Sequence, residues 1–430
     1  MVIVTSDTNL KCMFKIKRDL YLNKLISRRH NGRIKVVTGI RRSGKTYLIF
    51  TLFTDWLKEN GVDDSQIIQI NLEDRRNKRL RNPDVLLEYI DSQMQGAEMY
   101  YIMIDEIQHV PEFEDVLNSY LQMRNADVYV TGSNARFLSK DVITTFRGRG
   151  DQVHIYPLSY AEYHTASNRS PEATLQEYML YGGLPQIVFM QTDEEKSEFL
   201  KNIYEETYIR DIKDRYIIKQ EEEFEILLNI LSSTVGSLTN PQKLANTFAS
   251  NQKHDLSAMT IKKYLDYICD SFLVEKASRY DVKGKKYIDT PYKYYFADTG
   301  LKNARINFRQ NDDSHTMENI IYNELRRRGF NVDVGVVPVV FRDDNGRQAR
   351  RQYEIDFVCN LGSKRYYIQS AYRMETEAKV IQEEFSLRNV SDSFKKIIVL
   401  GQHTPIRRNE AGITTMSIYD FLLKENSLEL

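Results

Sequence analysis

Apolar positions along the chain fall into three textures. The first runs through the N-terminal third. Short β-branched or aromatic runs at 34–38 (IKVVT), 67–71 (IIQIN), 100–104 (YYIMI) and 127–131 (DVYVT) alternate with stretches of helical spacing at 16–30, 46–60, 84–94 and 113–124. Strands that alternate with helices predict a parallel sheet with helices on both faces. Residues 153–156 (VHIY) would add one more strand. The second texture covers 158–232, where helical spacing dominates and is broken by Gly182-Gly183 and Pro185, as expected of a helical lid.

The third texture is mixed. Helices expected at 222–232, 241–249 and 257–271 precede short aromatic strands around a Lys-Gly-Lys-Lys turn, within VKGKKYIDTPYKYYF. That order is the order of a winged helix-turn-helix. An amphipathic helix at 316–329 then leads to strand-like runs at 331–341, 353–358 and 365–372. A helix at 375–388, a strand at 396–400 and a terminal helix at 417–424 close a further α/β unit. The expected division of this α/β chain is 1–156 (sheet core), 157–220 (lid), 221–300 (winged helix) and 301–430 (C-terminal unit). Its 430 residues are ample for more than one core.

Composition narrows the picture only a little. Lys plus Arg and Asp plus Glu are each 60, so the formal net charge is zero. No global field draws the chain toward nucleic acid or membrane, and any such binding must come from local patches. The three cysteines, Cys12, Cys269 and Cys359, are far apart and form no CxxC pair. Zinc and a disulfide framework are therefore not expected, and reduced thiols in the cytoplasm are. The N-terminal stretch is not a signal peptide, and no apolar run is long enough to span a membrane.

Candidate chemistry begins at residues 39–46, Gly-Ile-Arg-Arg-Ser-Gly-Lys-Thr, which follow a strand and open a helix. This spacing is a phosphate-binding loop. Gly39, Arg42, Ser43 and Gly44 would present backbone N–H groups to the phosphates of ATP, with the glycines allowing close approach. Lys45 would reach the β- and γ-phosphates, and the Thr46 hydroxyl would ligate Mg²⁺. Asp105 ends the third strand and would hold Mg²⁺ through water. Glu106 follows it, placed to orient or deprotonate the attacking water, so the pair points to hydrolysis. The fourth strand runs into Thr131-Gly132-Ser133-Asn134, where Ser133 and Asn134 are the expected γ-phosphate sensor. Arg147 and Arg149 are candidate fingers, in cis or from a neighbouring subunit; a solvated basic turn is the other reading.

These residues resemble the AAA+ superfamily. More narrowly, the chain is similar to a bacterial and archaeal family of uncharacterised AAA-type ATPases with a C-terminal domain of unknown function. The similarity is carried by TGIRRSGKT (38–46), INLED (70–74), IMIDEIQHVPEFEDVL (102–117), VTGSNARFLS (130–139), RGR with IYPLSYAEY (147–163), YGGLP (181–185), YIRDI (208–212) and KYYFADTGL (293–301). It covers nearly the whole chain. It implies an ATP-binding core, a winged helix and a C-terminal nuclease-like fold, and it supplies no biological role.

Residues 318–372 look like the core of the restriction-endonuclease-like fold. A helix with Glu318 and Glu324 precedes a strand with Asp356 and a second strand with Gln369 and Ala371. An active site of that fold needs an acidic residue where Gln369 stands and a lysine where Ala371 stands. Gln is a weak ligand for a hard cation and Ala supplies no charge. A degenerate domain is expected, in which Lys364 or Arg365 could migrate into the lysine's role. Lys262, Lys263, Lys283, Lys285 and Lys286 are candidate phosphate contacts of the winged helix to DNA. A protein partner or a second copy of the chain is the alternative. Three functions stay open: an ATP-hydrolysing machine, an ATP-held switch with little turnover, and an ATP-gated nuclease.

Overall fold

A computed structural model describes residues 15–132, 149–250, 256–309, 312–342 and 347–430, leaving aside the side chains of 206–208. Strands Ile34–Thr38 (β1), Ile67–Asn71 (β2), Tyr100–Asp105 (β3), Ala126–Gly132 (β4) and Gly150–His154 (β5) form one sheet in the order β2-β3-β4-β1-β5. Every pair in it is parallel. All residues of β1 and β3 are buried, as a sheet covered on both faces requires. The two-residue period of each strand divides its side chains between two cores. Ile102 and Ile104 pack on one face with Ile68, Ile70 and Val130. Tyr101 and Met103 pack on the other with Val37, Phe53 and Tyr129.

The helix expected at 46–60 forms in three continuous pieces, Lys45–Tyr47, a π-helical Leu48–Phe53 and Thr54–Glu59. Beyond the sheet, helices Tyr160–Ser167, Pro171–Tyr181, Asp193–Ile203 and Arg210–Tyr216 fill the stretch expected to be helical. Each of the first three starts at a Ser or Thr whose hydroxyl accepts a backbone N–H of the first turn.

Helices Glu221–Ser233, Pro241–Ser250 and Ala258–Asp270 precede the hairpin Val274–Asp281 (β6) and Lys286–Phe296 (β7). That hairpin does not stand apart from the C-terminal unit. It is the edge of an eight-stranded sheet in the order Arg407–Arg408 (β12), Ile413–Ser417 (β13), Lys395–Leu400 (β11), Lys364–Ala371 (β10), Gln348–Leu361 (β9), Asn331–Arg342 (β8), β6, β7. Here β6 runs parallel to Asn331–Arg342 (β8) over Arg279–Asp281 and Val334–Val336. Helix Asp313–Arg327 leads into β8, Gln348–Leu361 (β9) and Lys364–Ala371 (β10), an antiparallel meander. Helix Glu377–Arg388 crosses to Lys395–Leu400 (β11), parallel to β10. Arg407–Arg408 (β12), Ile413–Ser417 (β13) and helix Thr299–Arg305 were not among the expected elements. They are short, and Ile-Thr-Thr-Met-Ser carries little apolar signal although all five residues are buried. No helix among the described residues is long and apolar enough to cross a membrane.

Candidate functional site

The glycine loop leaves the C-terminal end of β1 and enters the helix at Lys45. Two glycines there hold backbone angles that L side chains rarely adopt. Gly39 has φ +144°, and a Cβ on it would stand 2.2 Å from the Ile155 carbonyl oxygen. Gly44 has φ +95° at the helix start. Arg42 is also left-handed, at φ 62°. Ser43 is fully buried and its Oγ has no hydrogen-bond partner in the described structure. A buried hydroxyl kept free fits a phosphate oxygen as its partner.

Lys45 is 5% exposed and donates to the Gly39 and Ile40 carbonyls, both at 3.1 Å. Burial pulls its ammonium below the usual lysine range, while Glu106 and Asp105 push it back up. Thr46 Oγ1 lies 3.0 and 2.9 Å from the two Asp105 carboxylate oxygens. A hydroxyl and a buried carboxylate side by side are the donor set a Mg²⁺–nucleotide needs. Burial raises the Asp105 carboxyl above its ordinary range, and the Thr131 hydroxyl, which donates to it, draws it down. Thr131 Oγ1 also accepts the Glu106 backbone N–H at 3.0 Å. Glu106 sits at φ 54°, a conformation rare outside glycine and found at sites where a side chain must be aimed. The Gln108 amide donates to its carboxylate.

So Gly39, Arg42, Ser43, Gly44, Lys45, Thr46, Asp105 and Glu106 gather at one end of the sheet. Ser133, Asn134 and Arg147 lie outside the described residues. Arg149 is not at this end. Its carbonyl accepts the Ile34 N–H at the opposite end of β1. Four residues of strand rise, roughly 13 Å, separate it from the loop. A finger supplied by Arg149 in cis is therefore excluded by the direction of the strand.

Several contributors were not read from the sequence. Thr131 is the last residue but one of β4, which lies beside β3, a neighbour relation that only sheet order creates. Arg18 donates to the Ser43 carbonyl at 3.1 Å and the Tyr156 carbonyl at 2.6 Å, and pairs with Glu162 at 3.1 Å. Arg41 of the loop pairs with Asp211 of helix Arg210–Tyr216 at 2.8 Å. The loop is thus tied to two helices that follow the sheet.

The YGGLP and FADTGL stretches meet each other. Asp298 accepts the Gly183 N–H at 2.7 Å and the Leu301 N–H at 3.0 Å. A Cβ on Gly182 would lie 2.1 Å from Asp298 Oδ1, and one on Gly300 would lie 2.1 Å from the Tyr181 carbonyl oxygen. Burial pushes the Asp298 carboxyl up to about 6.

The C-terminal unit brings Asp356 and Gln369 together. Asp356 N–H points to Gln369 Oε1 at 3.4 Å, and Ser370 N–H donates to Asp356 Oδ2 at 2.8 Å. The cation beside them is neither Lys364 nor Arg365. Both sit at the far end of β10, paired with Glu429 and Asn360. It is Lys293 of β7. Its Nζ lies 2.9 Å from Glu318, 2.7 Å from Glu354 and 3.6 Å from Asp356. Glu324, on the same helix as Glu318, instead pairs with Arg327 and Arg328. Among the described residues, no group of His, Cys, Asp and Glu is arranged to hold a metal ion.

Comparison with known proteins adds the following. Residues 31–164 match the AAA domain family, and residues 172–312 match a domain of unknown function (DUF8612). An uncharacterized protein of Haemophilus influenzae is 32% identical over 415 residues, which covers 95% of this chain and 99% of that protein. An uncharacterized protein of Methanocaldococcus jannaschii is 28% identical over 435 residues, 96% of this chain and 89% of that one. Among solved structures, a Walker-type ATPase of Pyrococcus abyssi aligns over 68% of this chain and 96% of its own at 13% identity, with a TM-score of 0.49.

Proposed function

The chain belongs to the same family of AAA-domain proteins as its Haemophilus influenzae relative, and from that premise we propose that it hydrolyses ATP with Mg²⁺ to move or switch its C-terminal half. The observation that carries this reading is the hydrogen-bonded series Thr46–Asp105–Thr131–Glu106. The loop N–H groups bind the phosphates, and Lys45 faces the β- and γ-phosphates. Thr46 and Asp105 would hold Mg²⁺, which would supply charge neutralisation on the phosphate oxygens. Glu106 orients the attacking water and accepts its proton. Ser133 and Asn134 follow Thr131 by two and three residues and are proposed as the γ-phosphate sensor. Arg147, or Arg149 from a neighbouring copy, is proposed as the finger.

Steady-state phosphate release tests the reading. Glu106→Gln should keep nucleotide binding and lose turnover by roughly 10²–10⁴-fold. Wild-type protein with no measurable turnover, with or without DNA, would leave the ATP-held switch as the answer.

The finer reading of the C-terminal half is a winged helix joined to an inactive nuclease-like unit. Its support is the order helix, three-stranded meander, helix, parallel strand over residues 313–400. DNA as the object of the machine is favoured by one observation. The β6–β7 turn and the projecting end of β8–β9 lie side by side, with Lys283 donating to the Pro338 carbonyl at 2.9 Å. Lys285, Lys286, Arg350 and Arg351 are exposed there and pair with no acidic residue among those described. Tyr287 and Phe341 are exposed beside them. Unneutralised cations with aromatic neighbours suit a phosphate backbone. Reversing Lys285, Lys286 and Arg350 to Glu should abolish salt-sensitive binding of a labelled duplex. Unchanged affinity points to a protein partner instead.

A further inference from the structure

The nuclease-like reading implies a divalent cation among Glu318, Asp356 and the residue at 369. The residues present do not fit one. Gln369 is neutral, Ala371 offers nothing, and the space between the carboxylates is taken. We propose that this unit is a nuclease-type site closed to metal, in which the Lys293 ammonium stands permanently where such a site would hold its divalent ion.

The geometry supports an ammonium and excludes a second cation. Lys293 Nζ has three N–H groups and three carboxylates to face, Glu318 and Glu354 within hydrogen-bond distance and Asp356 slightly farther. Its side chain is 4% exposed. Glu318 Oε1 takes a second donor, the Tyr295 hydroxyl at 2.6 Å. Asp356 Oδ2 takes the Ser370 N–H. A divalent ion would need these same oxygens at about 2.0–2.6 Å, which puts it almost on top of the ammonium. The charge balance agrees. Burial and the neighbouring Glu318 raise the Asp356 carboxyl well above its ordinary range. Burial pulls the Lys293 ammonium down, but the carboxylates outweigh it and the net shift is upward, so the lysine stays charged.

What such a site does is attach. Glu318 comes from helix Asp313–Arg327, Glu354 and Asp356 from β9, and Lys293 from β7. One buried ammonium therefore clamps the strand of the preceding hairpin onto the nuclease-like unit. Five residues on, the same strand end carries Asp298, which holds the Gly183 loop. The residues that would cut a phosphodiester in a relative of this fold here anchor one end of the joint between the two halves.

The inference rests on the nuclease-like reading only for the place a metal would occupy, and its test reads metal binding rather than phosphate release, so the two fail separately. Full-length protein without nucleotide is titrated with Mn²⁺ alone, and free Mn²⁺ is read by electron paramagnetic resonance. A shared Asp105→Asn background silences the nucleotide site. The background protein should show no Mn²⁺ site that Asp356→Asn removes. Lys293→Ala, or Lys293→Met if alanine does not fold, should gain a site tighter by roughly tenfold or more than any in the background, and Asp356→Asn should remove it. Mn²⁺ binding in the background protein that Asp356→Asn removes would overturn the proposal without any lysine variant having to fold. So would a folded lysine variant that gains nothing, or Mn²⁺-dependent plasmid nicking that Asp356→Ala abolishes.

Discussion

Thr131→Val is the sharpest single test of how the hydrolytic pair is held. Thr131 is fully buried and its hydroxyl does two things at once. It donates to the Asp105 carboxylate and accepts the Glu106 N–H at 3.0 Å. Valine keeps the shape and removes the hydroxyl. A hydrogen bond to a charged group contributes about 1.5–3 kcal/mol, and an orphaned buried N–H costs about 1–3 kcal/mol. The left-handed Glu106 backbone costs of order 1–3 kcal/mol by itself and persists only while its neighbours hold it. Losing the N–H acceptor should let Glu106 relax away from its aim. If about 1.4–2.8 kcal/mol of that loss is felt at the transition state, kcat falls roughly 10- to 100-fold. The assay is steady-state phosphate release at saturating Mg²⁺–ATP, with affinity for a fluorescent ADP and the thermal midpoint measured in parallel. Thr131→Ser, which restores the hydroxyl, should recover most of the rate. A Val variant within about twofold of wild type in kcat, folded and binding normally, would refute the claim that this hydroxyl aligns the pair.

Two further predictions follow from the loop and the joint. Gly39→Ala puts a Cβ against the Ile155 carbonyl at a backbone angle that L-residues rarely adopt. Nucleotide binding should be lost and the thermal midpoint lowered, and unchanged values of both would contradict the close approach. Asp298 has a folded pKa of about 6 against 3.8 ordinarily, so the folded state holds its proton more tightly. That contribution to stability is complete below about pH 4 and is lost as pH rises through about 6, roughly 3 kcal/mol in all. The difference in thermal midpoint between wild type and Asp298→Asn should therefore change between pH 4 and 6 and stay flat above. A constant difference would mean that Asp298 does not titrate in that window.

The nucleotide end of the chain is legible residue by residue, because its chemistry is local. The segment Gly39–Thr46 is contiguous, so its glycines, lysine and threonine meet the same phosphates wherever the rest of the chain goes. Asp105 and Glu106 end an apolar strand, and a parallel sheet brings strand ends of this kind to one edge. The β-branched and aromatic runs of the first sheet read correctly because burial on both faces leaves long apolar segments. β13 did not, since Thr414, Thr415 and Ser417 are buried by neighbours that the pattern does not name.

What the tertiary structure decided depends on which strands are neighbours and which way they run. Arg149 is a candidate finger by its charge alone, but β5 is parallel to β1, so its start lies at the far end of the sheet from the loop. Thr131 belongs to the expected fourth strand, but that its hydroxyl meets Asp105 and the Glu106 N–H follows only from β4 lying beside β3. The YGGLP and FADTGL stretches are more than a hundred residues apart, and nothing in either announces that the Asp298 carboxylate caps the Gly183 N–H. Nothing in the sequence names the buried cation beside Asp356, because Lys293 of β7 lies more than fifty residues before it in the numbering and beside it in space. The sequence by itself determined what the chain binds, because a phosphate loop is made by consecutive backbone groups. The tertiary structure decided how that loop is tied to the rest and which groups neutralise the buried carboxylates of the C-terminal sheet, because buried charges are satisfied by whichever partners the sheet order brings within about 3 Å.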